Sequence, residues 1–417
     1  MSRTPLAVFD ADAPTALAFI GSVGRAGVPV HVYSHQAFPP ARASRFCTKF
    51  TRCPDLMRPD DFLPWLEARI DEGEIRCIAP TSDLVAYYLA EVRQRLPEVS
   101  RRALPASDKL LGVLFKERFS GVEGSFETPL TFAPSSVEEA RDRAREYAYP
   151  AVLKPRSHVT TPWARGEIVH SADELCARYR AHPAAPGTAS VLARHPEINL
   201  PLVQEYVPGA LENLWSVSGV LDADGELLAM AGSKKRRQFP PELGVGTLFE
   251  CWHDAEAFEA ARRFVRAHLG AGLFELEIIR DARTGKLLAI DLNPRTYGQV
   301  RFDIVRGNDL PLLWYRVAEG ERVPPSPPPR GGLRWIHSVP LHLQRWFDLA
   351  LGPDRVGAAL AYVNDLRGET VDIVRDGQDP LPSLLYIGRM LRHPRGLVRP
   401  FLKAKRAQRR QRAGTEV

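Results

Sequence analysis

The first hundred residues alternate between short apolar segments and helical patterns, and this alternation constrains the fold more than any other feature. Strands are predicted at residues 6–9, 28–33 and 75–80, and helices at 14–26 and 84–96. Consecutive strands that are joined by helices through short connections form parallel sheets with covered faces. We therefore predict a parallel αβ domain over residues 1–105.

A different pattern follows, in which strands come in pairs joined by tight turns. Helices are predicted at residues 107–119, 137–148 and 254–269, and strands at 151–154, 202–207, 215–221, 227–232, 273–279 and 287–292. Asp254 is suited to cap the third of these helices, and Gly270 is suited to end it. Strand pairs mixed with helices predict an α+β domain over residues 106–322, so the fold class of the whole chain is α/β plus α+β.

Proline marks the end of this second domain. Residues 323–332 contain five prolines and two glycines, a composition typical of a stiff, extended linker. Residues 333–417 then form a C-terminal extension that ends in a basic tail.

The net charge of +6 is concentrated in that tail. The last 37 residues carry ten Lys/Arg and one acid, Glu416, whereas the preceding 380 residues carry 46 basic and 49 acidic side chains. The body is therefore mildly acidic, and a nucleic-acid partner is not expected for it. The tail itself either contacts an anionic membrane surface or is a solvated segment without a partner.

Five scattered cysteines without metal-ligand spacing are typical of a protein from a reducing compartment. Charge or proline also interrupts every apolar run before it reaches the roughly 18–20 residues of a membrane helix. We therefore expect a cytoplasmic protein, with peripheral contact at the inner membrane surface left open for the tail. A homodimer is also compatible with the sequence.

Oxygen-bearing side chains cluster on a predicted hairpin near the end of the second domain. Asp291 and Asn293 are two residues apart on one strand and therefore point to the same side, and Glu277 lies on the preceding strand. Two carboxylates and an amide oxygen suit a Mg²⁺ ion that also binds nucleotide phosphates. A solvated strand face is the other interpretation that this spacing allows.

Lysines and a strand end supply further candidates. Lys154 ends an apolar strand, where it either reaches a bound anion or extends to solvent, and Lys116 lies on an amphipathic helix with the same two options. The strand that carries Glu205 stops at a Pro-Gly pair and could present its end to a base. The basic segment 234–238 precedes a predicted glycine-containing loop at 244–247, so it either clamps phosphates or is solvated.

These features stand in an order that is found in one known superfamily. Lys116, Lys154-Pro155, residues 204–209 (QEYVPG), Glu277 and residues 291–295 (DLNPR) together resemble the ATP-grasp superfamily over residues 107–320. The N-terminal αβ unit resembles the Rossmann-like domain that precedes the nucleotide site in that superfamily. The pattern is most similar to ligases related to the carbamoyl-phosphate synthase large subunit and to D-aspartate ligase.

The resemblance implies a role for each candidate. The residues implied to contact the phosphates are Lys116 and Lys154, and those implied to contact adenine and ribose are Glu205, Tyr206, Val207 and Glu212. The implied ligands of Mg²⁺ or Mn²⁺ are Glu277, Asp291 and Asn293. The residues implied to lie on the substrate side are Arg295, Lys235 and Arg237. The implied activity is an ATP- and Mg²⁺-dependent ligation of a small-molecule carboxylate to an amine through an acyl phosphate.

Two positions depart from the pattern of the superfamily. Residues 158–166, where many relatives carry a glycine-rich lid, contain one glycine, and Asp291 stands where many relatives have Glu. The alternative function is a non-catalytic nucleotide-binding protein, or a protein that binds an anionic surface through its basic tail.

Overall fold

The computed structural model of the protein describes residues 3–161, 164–208, 213–239, 244–352 and 354–392. Within these ranges the strands form a four-stranded parallel sheet, a four-stranded antiparallel sheet and a seven-stranded sheet. This mixture of a parallel sheet with antiparallel sheets confirms the predicted fold class.

The N-terminal sheet is parallel throughout. Its elements are β1 (Leu6–Val8), α1 (Pro14–Arg25), β2 (Val30–Ser34), β3 (Cys47–Arg52), α2 (Pro59–Asp71), β4 (Cys77–Ile78), α3 (Asp83–Glu91) and α4 (Glu98–Arg101). The strand order is β3-β2-β1-β4, with parallel register at every pairing. The sequence patterns did not predict β3 and α2; β3 is an edge strand without a fully buried side chain, so it lacks an apolar signal.

A small antiparallel sheet follows along the chain. Its segment contains α5 (Ser107–Leu114), β5 (Thr131–Phe132), α6 (Val137–Asp142), β6 (Ala151–Pro155), β7 (Glu167–Val169), α7 (Ala172–Arg178), α8 (Ala189–Arg194) and β8 (Pro201–Glu205). The strand order is β5-β8-β6-β7. β6 and β8 are the two central strands of this sheet. The predicted nucleotide-binding residues that follow Glu205 therefore lie at the end of a central strand.

The large sheet carries the rest of the chain. Its segment contains β9 (Leu214–Leu221), β10 (Leu227–Phe239), β11 (Val245–Trp252), α9 (Ala255–His268), β12 (Gly272–Arg280), β13 (Leu287–Asn293), α10 (Val300–Val305), α11 (Leu310–Ala318), β14 (Arg334–Ile336), α12 (Ser338–Leu351), α13 (Arg355–Asp365), β15 (Thr370–Asp372) and α14 (Pro380–Arg392). The strand order is β13-β12-β9-β10-β11-β14-β15. The residues that follow the proline-rich segment therefore extend the same sheet.

Two local predictions have opposite outcomes. Asp254 does cap α9, since its Oδ1 accepts a hydrogen bond from the backbone N–H of Ala257 at 3.0 Å. The predicted loop at 244–247 is wrong in its described part, because β11 begins at Val245 and pairs with β10, with Gln238 opposite Gly246. The basic segment 234–238 is thus part of a strand.

The two faces of the large sheet have different environments. Apolar side chains on one face, such as Val217 and Leu276, pack with Phe264 of α9. The opposite face, which carries polar side chains at its β12–β13 end, approaches the N-terminal domain and α10.

A shared core joins the N-terminal sheet to α11. Residues of α11 belong to the same apolar cluster as the strands of the N-terminal sheet. Trp314 on α11 lies edge-to-face on Phe19 of α1 at 5.6 Å, and its indole N–H donates to the carbonyl oxygen of Ala103 at 2.7 Å. This packing sets the start of α3 against the end of β13. In the described ranges, no helix combines the length and the apolar character needed to cross a membrane.

Candidate active site

The β12–β13 hairpin brings the predicted metal ligands together. In its antiparallel register Glu277 lies opposite Asp291, and Glu275 lies opposite Asn293. Side chains directly opposite one another, or two residues apart on one strand, share a face of a sheet. The hairpin therefore presents four oxygen-bearing side chains on the face that approaches the N-terminal domain.

A bulge in this hairpin positions one of the predicted lysines. Because Glu277 pairs with Asp291 and Ile278 with Ala289, Ile290 has no partner in the ladder. The Lys154 ammonium, reaching across from β6, donates to the Ile290 carbonyl oxygen at 2.6 Å. The bulge thus provides an acceptor for a lysine that comes from a different sheet.

Lys116 completes a cationic pair at the same place. Its Nζ lies 2.6 Å from Oδ2 of Asp291, and both side chains are largely buried. Burial opposes ionisation of Asp291, but the ammonium groups of Lys116 and Lys154 outweigh it and hold the pKa of Asp291 well below its ordinary value. Burial, together with the nearby Lys116, lowers the pKa of Lys154 to about 8.

Glu275 is a site residue that the sequence motifs did not identify. Only 3% of it is exposed, and its carboxylate accepts hydrogen bonds from Ser216 at 2.7 Å, Asn293 at 2.7 Å and Gln299 at 2.9 Å. Burial and repulsion from Glu277 raise the pKa of Glu275 to about 7. The sequence did contain a signal for Glu275. It lies two residues from Glu277 on a predicted strand, so both carboxylates were expected on the same face of the sheet.

Arg295 connects the hairpin to the N-terminal domain. Its guanidinium donates to both carboxylate oxygens of Asp83, at 2.8 and 3.2 Å, and to Oδ1 of Asn293 at 2.8 Å. Burial opposes ionisation of Asp83, but the charge of Arg295 outweighs it and holds the pKa of Asp83 below its ordinary value. Asp83 follows the N-cap Ser82 at the start of α3, and the backbone N–H of Thr296 donates to the Pro80 carbonyl oxygen at 2.9 Å beside it.

His158 is a second residue that the motifs did not identify. It follows β6, and its imidazole interacts electrostatically with Lys116, Asp83, Asp291 and Arg295. Burial, and then the charge of Lys116, lowers the pKa of His158, so the ring is neutral at pH 7. Pro162 and Trp163, in the middle of the segment that corresponds to a lid in the superfamily, lie outside the described residues.

The predicted nucleotide side is placed only in part. Glu205 ends β8, and its Oε1 accepts a hydrogen bond from Arg283 at 2.6 Å. Tyr206 is half-buried, and Val207 packs in a small apolar cluster with Leu214 and Ile279. Glu212 lies outside the described residues.

The two substrate-side cations of β10 point in different directions. Lys235 is buried, and its Nζ lies 6.0 Å from the centre of the Phe249 ring. Ser233, two residues before it on β10, shares a face of the sheet with Ser216 and Glu277, so Lys235 lies on the face of the carboxylates. A register shift follows Lys235 and sets Arg237 opposite Leu248, on the other face. There the Nε of Arg237 lies 2.6 Å from Oδ2 of Asp365.

The ion pair with Asp365 therefore separates Arg237 from the carboxylate cluster. Asp365 also accepts a hydrogen bond from Arg345 of α12, so it joins β10 to the helices that follow β14. The sequence placed Lys235 and Arg237 together because they are close in the chain. A bulge reverses the direction of the side chains that follow it, and this one was not visible in the sequence.

The oxygen atoms of the hairpin suit a hard divalent cation that takes some of its ligands from the protein and the others from a nucleotide. In the described part of the chain, no group of three or more acidic, histidine or cysteine side chains is placed so that it could hold a metal ion by itself. Mg²⁺ usually binds to one or two carboxylates and takes its remaining ligands from water and phosphates. Burial and then repulsion from Glu277 raise the pKa of Glu275, and a bound cation would relieve that repulsion.

Comparison with solved structures identifies the architecture. A biotin carboxylase from Campylobacter jejuni, in its β-γ-ATP complex, matches with a TM-score of 0.58 and 14% identity over 79% of this chain and 74% of that chain. An L-amino acid ligase from Bacillus licheniformis matches with 0.56 and 14%, over 76% and 75% of the two chains. An N5-carboxyaminoimidazole synthetase from Staphylococcus aureus matches with 0.54 and 11%, over 78% and 79%.

No protein-family model and no curated protein sequence matches the chain. The structural matches have low sequence identity, so they establish the fold. The chain has the ATP-grasp fold, as its motifs predicted.

Proposed function

We propose that this protein is an ATP- and Mg²⁺-dependent ligase that joins a carboxylate to an amine through an acyl phosphate. The observation that carries the proposal is the meeting of Lys116 and Lys154 with Asp291 at the β12–β13 hairpin. Buried cations beside a cluster of carboxylates suit a phosphorylated nucleotide and its divalent cation. Mn²⁺ is an alternative ion for the same oxygen ligands.

The ion would be held by the carboxylates of the hairpin together with the amide oxygen of Asn293. The carboxylates are those of Glu277 and Asp291. When bound, a divalent cation neutralises charge on the phosphoryl oxygens and so favours transfer of the terminal phosphoryl group. The Asn293 side chain already joins Glu275 to Arg295, so it holds two groups of the site in a fixed relation.

The two lysines bind the phosphates. Lys154 approaches from β6 and Lys116 from the turn that follows α5, so the phosphates would lie between the small and the large sheet. Nucleotide binding requires the ammonium of Lys116 to turn from Asp291 toward a phosphate oxygen. The buried environment strengthens both contacts, because the effective dielectric constant is lower there than in water.

The chemistry then proceeds on the substrate. A carboxylate oxygen attacks the terminal phosphorus, ADP leaves, and the resulting acyl phosphate is attacked by the amine with loss of inorganic phosphate. Arg295, fixed by Asp83, offers a guanidinium to the acyl phosphate. Lys235 lies farther along the same face and is suited to the substrate side, whereas Arg237 lies on the other face and pairs with Asp365.

The base would lie beside the end of β8. Glu205 and the backbone of Tyr206 and Val207 supply polar groups there, and the apolar cluster around Val207 supplies a surface for a flat ring. Glu212 retains the ribose role that the resemblance implies. The partners of this protein are then a small-molecule carboxylate and an amine, and we propose a cytoplasmic location for the reaction.

The test is a phosphate-release screen. Purified protein is incubated with ATP, Mg²⁺ and paired pools of carboxylic acids and amines. Active pools are analysed by mass spectrometry for a product whose mass is that of one acid plus one amine less one water. Asp291→Asn is expected to reduce phosphate release by at least about 100-fold, because it removes a charge at the metal and phosphate position. Glu226→Gln, an exposed position in the turn between β9 and β10, is the matched control and keeps the wild-type rate.

Two results contradict the proposal. One is a folded protein that neither binds ATP with Mg²⁺ nor releases phosphate with any pool. The other is wild-type phosphate release by Asp291→Asn.

A further inference from the structure

The last described helix, α14, exposes a stripe of leucines. Its members Leu381, Leu384, Leu385 and Leu391 are 51%, 64%, 41% and 59% exposed. At 100° per residue these positions fall within about one third of the helix circumference, with Gly388 among them. We call this surface the leucine stripe.

The opposite side of α14 is attached to the body of the protein. Pro382 and Ser383 are buried, and the Ser383 hydroxyl donates to the Val374 carbonyl oxygen at 2.5 Å. Arg389 forms an ion pair with Asp12 and donates to the Phe38 carbonyl oxygen at 2.6 Å. Because α14 is anchored at both ends, the outward direction of the leucine stripe is a fixed property of the fold.

The surroundings of the stripe are aromatic and basic. Phe38, beside Arg389, is 74% exposed, and the guanidinium carbon of Arg42 lies 4.9 Å from the centre of its ring. Arg42, Arg45 and Arg392 are all exposed. The sequence has no acidic residue from position 380 to 415, and the 25 residues that follow Arg392 carry eight Lys/Arg and one acid.

We propose that the leucine stripe, with Phe38 and the basic residues around it, docks on the surface of an anionic lipid bilayer. An apolar helix face flanked by arginine is the pattern of helices that lie in the membrane interface. The basic segment after α14 adds electrostatic attraction to anionic headgroups, which falls off within a Debye length of the surface. The proposal concerns location and does not depend on the ligase activity.

Lipid fits this surface better than nucleic acid does. Single-stranded nucleic acid is bound by basic grooves in which aromatic side chains stack on bases. Here four exposed leucines accompany a single exposed phenylalanine, and an aliphatic stripe has no favourable partner among phosphates and bases. An acyl-chain boundary offers a partner to the leucines and the phenylalanine as well as to the arginines.

The test measures co-sedimentation of the full-length protein with vesicles. Binding is expected to vesicles that mix phosphatidylcholine with phosphatidylglycerol, to weaken as salt rises, and to be absent with phosphatidylcholine alone. Leu384→Ser/Leu385→Ser is expected to weaken binding at least about tenfold. Arg409→Gln/Arg410→Gln/Arg412→Gln is expected to weaken it by about fivefold per charge.

A matched control comes from α13, which also has an exposed apolar face. Val356 and Leu360 are 72% and 67% exposed, but a basic segment does not follow that helix. Val356→Ser/Leu360→Ser removes two exposed apolar side chains and should leave vesicle binding unchanged. Thermal unfolding of each variant confirms that its fold is intact.

Three outcomes overturn the proposal. The first is that wild-type protein does not sediment with anionic vesicles, or that the α13 control loses binding as strongly as the leucine variant. The second is a wild-type dimer that the leucine variant converts to a monomer without any vesicle binding, since the stripe then belongs to an interface between copies. The third is tighter binding to an RNA oligonucleotide than to vesicles at equal salt, with no effect of the leucine substitutions.

Discussion

The ion pair between Asp83 and Arg295 makes the strongest prediction about stability. It joins the N-terminal domain to the residues that follow β13, and the two side chains are only 18% and 19% exposed. Replacing Asp83 with Ala leaves the Arg295 charge without its partner. Asn293 and the Thr296 carbonyl oxygen still accept hydrogen bonds from Arg295, but neither carries a negative charge.

The expected loss of stability follows from the geometry. At 2.8 Å and an effective dielectric constant of about 20, the attraction between the two charges is about 6 kcal/mol, and desolvation of both groups offsets part of it. Removal of one partner from a buried pair usually costs about 3–5 kcal/mol. Because both side chains keep some exposure, we expect a value near about 3 kcal/mol for Asp83→Ala.

The assay is urea denaturation of the wild type, Asp83→Ala, Arg295→Met and the double variant. The double variant should be more stable than the sum of the single losses predicts, because it does not leave a buried charge unpaired. Glu98→Ala, which breaks the exposed pair with Arg102, is the matched control and should cost less than about 1 kcal/mol. A loss below about 1 kcal/mol for Asp83→Ala, or strictly additive effects, would refute the reasoning.

Three further predictions concern charge in the site. The pKa of Lys154 is about 8, so its charge is lost as pH rises through that value. In steady-state assays the KM of the wild type for ATP should therefore rise above about pH 8, whereas the KM of Lys154→Arg should not change with pH. The same pH dependence of KM in both proteins would contradict this. Glu275 ionises at about 4.5 when unfolded but holds its proton to about pH 7 when folded, so the free energy of unfolding without divalent cations should fall by about 3 kcal/mol between those pH values. Urea titrations should show a smaller fall for Glu275→Gln, and equal slopes would rule out this assignment. Lys235→Gln should lower kcat/KM for the acid or amine, whereas Arg237→Gln should affect the thermal midpoint more than turnover, since Arg237 pairs with Asp365; the reverse pattern would restore Arg237 to the site.

The elements that the sequence predicted are those with a strong periodic or motif signal. The β12–β13 hairpin, α9 and the first strands of the parallel sheet all have apolar periodicity or clear caps, and they form where they were expected. β3 is a polar edge strand, and its partner helix α2 contains Pro64, so neither matches a standard pattern. β11 begins next to Gly246, a residue type that indicates a turn more often than a strand.

The sequence could group the proposed site residues only where local spacing determines the geometry. Glu277, Asp291 and Asn293 could be grouped because a hairpin fixes which residues face one another. Asp83 could not, since it lies 212 residues from its partner Arg295 and belongs to another domain. Its role depends on how α11 packs against the N-terminal domain, and a single sequence gives no measure of that packing.

Charge balance in the site suggests why nucleotide and metal should bind together. Without ligands, the carboxylates of Asp83 and Asp291 face the cations of Arg295, Lys116 and Lys154, and burial and repulsion from Glu277 raise the pKa of Glu275 to about 7, so that this group is only partly ionised near neutral pH. If Lys116 turns to a phosphate, Asp291 loses one of the two cations that hold its pKa low. A divalent cation between nucleotide and hairpin replaces that charge and also allows Glu275 to ionise. We therefore expect Mg²⁺ to bind weakly to the free protein and tightly only when ATP is present. Binding in the wild type should release protons from Glu275, and the Glu275→Gln variant should not show this release.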